Sequence, residues 1–268
     1  MSSSSWSSLV LGVVGCGGAT TPAAVGHQAG PSSPSLVVEP SQVRGALAYA
    51  PAPVDGERDD LMPTSADPTI VEDTATTSLR GPVLALPSRG AAVEVTAGAP
   101  RTIRHGCDGN TLEVTPWAGA GAVAPGLVWL APQPWPAGWA PAAVEIEAEP
   151  ATQAAHRYRA GRLGVEVTAL GPREGELRLR FDDVERMVAP LSQDAMDGAE
   201  LPPLDLRPPR DVGEPAPIAA WSLAPAGPVV VVMYTEGFEG FVLDSYLVDE
   251  RGATRLEQLG GGLYYCAF

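Results

Sequence analysis

Lysine is missing from this chain. All seventeen basic residues are arginine, set against 32 acidic ones, for a net charge of −15 over 268 residues. Proteins that hold nucleic acid neutralise phosphates with clustered positive charge, so this balance excludes nucleic acid as a partner. It also excludes attachment to anionic lipid through a basic patch. The lack of lysine, beside 28 prolines, 30 glycines and abundant alanine, points to a GC-rich coding sequence, so part of that excess reflects base composition. Long apolar runs are absent too. No segment reaches the ~18 residues free of charge and proline that cross a bilayer as a helix, so no transmembrane helix is expected. Aromatic residues make up 6% of the chain, and there are only three histidines and three cysteines. The phosphate-binding Walker loop, the Gly-x-Ser-x-Gly elbow, the His-Glu-x-x-His zinc helix and the dinucleotide fingerprint are all missing. No cofactor and no metal are expected.

The most telling stretch that is present lies near the start. Leu9-Val10-Leu11-Gly12-Val13-Val14-Gly15 is a short apolar run that ends in a small residue and then Cys16. It resembles the signal peptide and lipobox of bacterial lipoproteins. The match rests on Val13-Val14-Gly15-Cys16, with an aliphatic residue three before the cysteine and a small one directly before it. Residues 1–6 carry no Lys or Arg, whereas such signals usually open with a basic region. The resemblance implies export, cleavage before Cys16, lipidation of Cys16 and anchoring to a membrane by several acyl chains. The expected address is the cell envelope, at the outer membrane or cell surface, with a secreted or periplasmic protein as the alternative. Export would leave Cys107 and Cys266 as an even pair in an oxidising compartment, where a disulfide between them is expected. The competing reading is a cytosolic protein with a misread start and free thiols.

Residues 17–80 are rich in Ser, Thr, Pro, Ala and Asp and lack sustained apolar periodicity. Such a segment buries too little apolar area to offset ordering entropy. The sequence therefore divides into a signal peptide (1–15), a lipidated cysteine with a disordered tether (16–80) and an all-β domain (81–268). In that domain apolar residues alternate, or run together, for four to eight residues at spacings of roughly ten, between turn residues. The pattern predicts a β-sandwich-like domain of antiparallel strands. The clearest hairpin joins 163–170 to 176–181 through Gly171-Pro172-Arg173-Glu174-Gly175. Its expected inward set is Leu163, Val165, Val167, Ala169, Leu177, Leu179 and Phe181. Val229-Val230-Val231-Val232-Met233 has no polar face and predicts a central strand buried on both sides. Residues 182–187 read as one or two helical turns. A weak internal repeat sets 91–141 against 142–190, with His105 on His156, Leu112 on Leu163 and Val114 on Val165.

Few residues suggest chemistry. His105-Gly106-Cys107-Asp108 brings together an imidazole, a thiol and a carboxylate, as a nucleophile pair or metal site would. The plainer reading is a disulfide cysteine beside a polar turn. His156 with Arg157, Arg159 and Arg162 forms the only basic cluster and would suit a carboxylate or phosphate. Cross-strand pairing with Glu145, Glu147 and Glu149 explains it without a ligand. Asp194, Asp197 and Glu200 offer hard oxygens for calcium but not at EF-hand spacing. Trp117, Trp129, Trp135 and Trp139 share one Pro/Gly-rich stretch. Exposed there, they would stack on a carbohydrate or dock a protein partner, which makes them the leading ligand-binding candidates. The expected role is that of an exported, membrane-anchored lipoprotein with a non-catalytic β-domain for binding or envelope structure. The alternative is an exported hydrolase using His105 or His156 with a nearby carboxylate.

Overall fold

Alternating side chains decide how the strands stack. In the computed structural model, described for residues 36–50, 70–73, 79–104, 111–121, 123–135, 138–147, 155–170, 174–192, 216–236 and 240–264, antiparallel strands form three sheets. Among these residues there is no α-helix, and no helix long and apolar enough to cross a membrane. The first sheet holds β1 (Ala46–Ala50), β2 (Ile70–Asp73), β3 (Val83–Pro87), β4 (Val93–Ala97), β5 (Arg101–Arg104), β6 (Thr111–Gly119) and β7 (Gly126–Ala131). Its pairings close a ring, β1–β2–β6–β4–β3–β7–β1. β5 continues along the β6 edge beyond β4. Small barrels fill their interior with side chains. Here Trp117 occupies that interior among Ala48, Ala50, Val83, Ala85, Val95, Val128 and Leu130. One bulky ring among alanines suits so narrow a barrel.

The residues between these point outward. Leu86, Leu127, Trp129 and Ala131 form the outer face of the barrel and pack on the second sheet. That sheet contains β8 (Ala140–Pro141), β14 (Ala216–Ser222), β15 (Val229–Glu236), β16 (Gly240–Val248), β17 (Ala253–Arg255) and β18 (Gly261–Tyr264). β15 lies between β14 and β16. Its Val230, Val232 and Tyr234 face the barrel, whereas Val229, Val231 and Met233 face the other way, toward the third sheet. The predicted central strand is thus buried on both faces.

The third sheet is a run of hairpins: β9 (Glu145–Ile146), β10 (Ala155–Ala160), β11 (Leu163–Ala169), β12 (Glu174–Phe181) and β13 (Val184–Ser192). The β11–β12 register pairs Leu163 with Phe181, Val165 with Leu179 and Val167 with Leu177, and all six are buried as expected. The assembly is sandwich-like, with the second sheet as the middle layer of three.

Two expectations need correction. Residues 36–50 and 70–73 fall in the stretch assigned to the tether, yet they belong to the folded unit that starts at Leu36. β1 supplies a wall of the barrel because its alternation, although only five residues long, buries Ala46, Ala48 and Ala50. Residues 182–187 are not helical. Asp182 and Asp183 have positive φ (50° and 62°) and make a tight turn into β13. Aspartate tolerates that region better than most residues. The two stretches of the weak repeat also differ: β6 and β7 are not neighbours, whereas the aligned β11 and β12 are.

Candidate functional site

A concave feature among the described residues is built by a segment that the sequence pattern passes over. Residues 36–44 run as a strap across the outer face of the barrel, with one 3-10 turn at Pro40–Gln42. Val43 is buried in the core between barrel and middle sheet. Polar clasps hold the strap to the far end of the chain. Arg251 donates from Nη1 to Glu39 Oε1 (2.8 Å) and from Nη2 to the Val38 carbonyl (2.8 Å). Gln258 Nε2 donates to the carbonyls of Pro40 (3.0 Å) and Val43 (2.7 Å). Asp249 orients Arg251 through Oδ2, which accepts from Nε at 2.9 Å. Burial pushes the Asp249 carboxyl up, but hydrogen bonds from Arg251 and from the Gly252 backbone outweigh it, leaving it below the usual carboxylate range.

The strap enters β1 at Gly45, where φ is +133°. A Cβ there would lie 2.0 Å from the Leu130 carbonyl oxygen and 2.6 Å from Trp129 Nε1. Only glycine permits this close approach. It lets the Trp129 indole N–H donate to the Arg44 carbonyl (2.8 Å). Trp129 also meets Trp221 edge-on, with ring centroids 5.9 Å apart.

Between strap and barrel lies a cleft of about 360 Å³. The strap lines it with Leu36, Val38, Gln42, Val43 and Arg44. β7 and the segment after it contribute Trp129, Ala131, Pro132, Gln133 and Pro134, and Leu223 completes the lining. Clefts that take small molecules span roughly 300–1,000 Å³ and are mainly apolar with a few placed polar groups. This one fits that description.

The four tryptophans singled out by sequence divide. Trp117 is 1% exposed, inside the barrel, and cannot meet a ligand. Trp129 is 2% exposed and largely a core residue, but it lines the cleft. Trp135 and Trp139 are half-buried, and Trp139 packs against the core behind the barrel. Their indole N–H groups are sealed from solvent without an acceptor among the described residues. Cys16, His105, Cys107, Asp108, Asp194, Asp197, Glu200 and Cys266 lie outside the described residues. His156 is 4% exposed and does not line the cleft.

The basic cluster is held in ion pairs. Arg159 meets Glu147 (2.7 Å) and Asp183 (3.0 Å), and Arg157 meets Glu166 (3.3 Å). Arg162 binds Asp182, the Ala226 carbonyl and Glu250, with its guanidinium 4.3 Å from the centre of the Phe181 ring. The Glu147 partner follows the cross-strand reading; the turn aspartates and Glu166 are additions that it missed. Sequence could have flagged Asp182-Asp183, a two-residue turn between alternating strands. It held no comparable signal for the cleft, whose walls come from three distant segments.

Fold and cleft describe an antiparallel β protein with a small, mainly apolar cleft between the strap and the barrel. Comparisons with protein-family models, curated proteins and solved structures returned no match to this chain.

Proposed function

We propose that the chain is an exported lipoprotein, anchored in the cell envelope by lipid on Cys16, whose β-domain is a non-catalytic binding module with the strap cleft as its site. The cleft carries the binding half of this reading. Its lining residues are eight apolar ones, two glutamines and one arginine. Such a surface holds a ligand, whereas general acid–base chemistry draws on His, Asp, Glu or Cys. The address rests on Val13-Val14-Gly15-Cys16, and a Cys107–Cys266 bridge belongs to the same proposal.

Intact mass of the protein from membranes of its own host, with and without reduction and alkylation, tests the address. The expected species begins at Cys16, carries acyl groups and gains two reactive thiols only on reduction. An unprocessed chain with three reactive thiols would overturn export, anchor and bridge together.

A further inference from the structure

We propose that the cleft takes an amphipathic monocarboxylate, of which a medium-chain fatty acid is the simplest member. The inference rests on reading the cleft as a binding site. Eight of its eleven lining residues present apolar surface, which calls for a hydrocarbon body. The polar groups decide the head. The Trp129 N–H is already given to the Arg44 carbonyl, so it is not free for a ligand. Gln42 accepts the Glu39 backbone N–H through Oε1 (2.8 Å), which leaves its amide NH₂ as the open end. Arg44 donates from Nε to the Ser41 carbonyl (3.2 Å) and has no carboxylate partner among the described residues. Arg159, Arg162 and Arg251, in contrast, are each ion-paired. The strap therefore offers donors without an acceptor, one of them cationic. A carboxylate is the small group that matches a guanidinium edge and an amide NH₂ together. The net charge of −15 opposes an anion at long range. Physiological salt screens that field beyond about 8 Å, so the contact at Arg44 decides.

Titration calorimetry with decanoate, decanol and decyltrimethylammonium, each below its micellar concentration, tests this. The full chain carries Cys16→Ser, so that detergent is not needed. Decanoate is expected to saturate one site and to bind about tenfold or more tighter than the alcohol, the range of a charge-assisted hydrogen bond. Arg44→Gln should abolish that preference and leave decanol binding in place. Leu36→Trp, at a wall position 47% exposed and so tolerant of substitution, should block both ligands. Equal affinity for all three probes, or a preference that survives Arg44→Gln, would overturn the carboxylate assignment and leave the binding site standing. No saturation by any probe, with an unchanged melting transition, would overturn both.

Discussion

Gly45 and Trp129 show how one side chain, or the lack of one, sets the site. The strap can cross the barrel only where a residue has no Cβ, because Leu130 O and Trp129 Nε1 occupy that space. Gly45→Ala is expected to destabilise the protein by about 2–4 kcal/mol through clash and positive-φ strain. It should also break the Trp129–Arg44 hydrogen bond. Thermal melting and a shift in the Trp129 indole N–H resonance would check both effects. Asp182 makes a second residue-scale case. The hydrogen bond from Arg162 holds its carboxyl below the usual carboxylate range. A depressed carboxyl adds stability above its unfolded pKa, near 3.9, and that contribution is lost as pH falls through the folded value. Asp182→Asn, which keeps a residue tolerant of positive φ, should therefore lower the melting temperature at pH 7, and the difference from the parent should shrink as pH falls below about 3.9 toward pH 3. The cost at pH 7 should be at most about 1 kcal/mol, because the pair is half in solvent. An equal loss at both pH values would show that the turn, not the charge, matters.

The strap is the element on which the cleft depends, and its anchorage lies more than two hundred residues away. Arg251→Ala removes the bonds to Glu39 and Val38 and leaves those from Gln258. Hydrogen exchange at residues 38–43 should speed up while β15 stays protected, since strap opening is local and β15 is core. Unchanged exchange would mean that Val43 burial alone holds the strap. This element also marks where sequence reading stops. The β11–β12 hairpin and the β15 run were legible because each carries its own period and turn. β1 was not, since Ala46-Leu47-Ala48-Tyr49 is too short and too rich in alanine to stand out from its proline-rich surroundings. Residues 182–187 suggest a helical turn because an acidic pair reads as a helix start until φ is known. The Pro/Gly-rich stretch around Trp117 suits a ligand-facing or a core-edge ring equally well, and only the closed ring of strands shows that this side chain fills a barrel of small residues. The cleft joins residues 36–44, 129–134 and 223, a juxtaposition that no local pattern encodes.

At the scale of the molecule, β15 is a wall shared by two cores. Val230 is 0% exposed on the barrel side, and Val231 is 0% exposed on the side of the third sheet. A shared strand couples the layers, because losing either core strips one face of β15 and exposes a continuous apolar run. Barrel, middle sheet and third sheet should therefore unfold together, even at a length where independent domains are common. Val230→Ala and Val231→Ala are each expected to cost about 1–3 kcal/mol as buried truncations. The two side chains point into different cores but share one stretch of backbone, so a double variant that departs from the sum of the single costs would measure coupling through the strand. Urea unfolding followed by tryptophan fluorescence and by far-ultraviolet circular dichroism checks the coupling. All the tryptophans of the described residues lie in the barrel, the middle sheet or the segments joining them, so fluorescence reports on that side, whereas dichroism sums all three sheets. Coincident curves for the parent and both single variants are the expected result. If Val231→Ala instead produced an early dichroism transition with fluorescence unchanged, the third sheet would be a separable unit, and the strap cleft would need only the barrel and middle sheet to form.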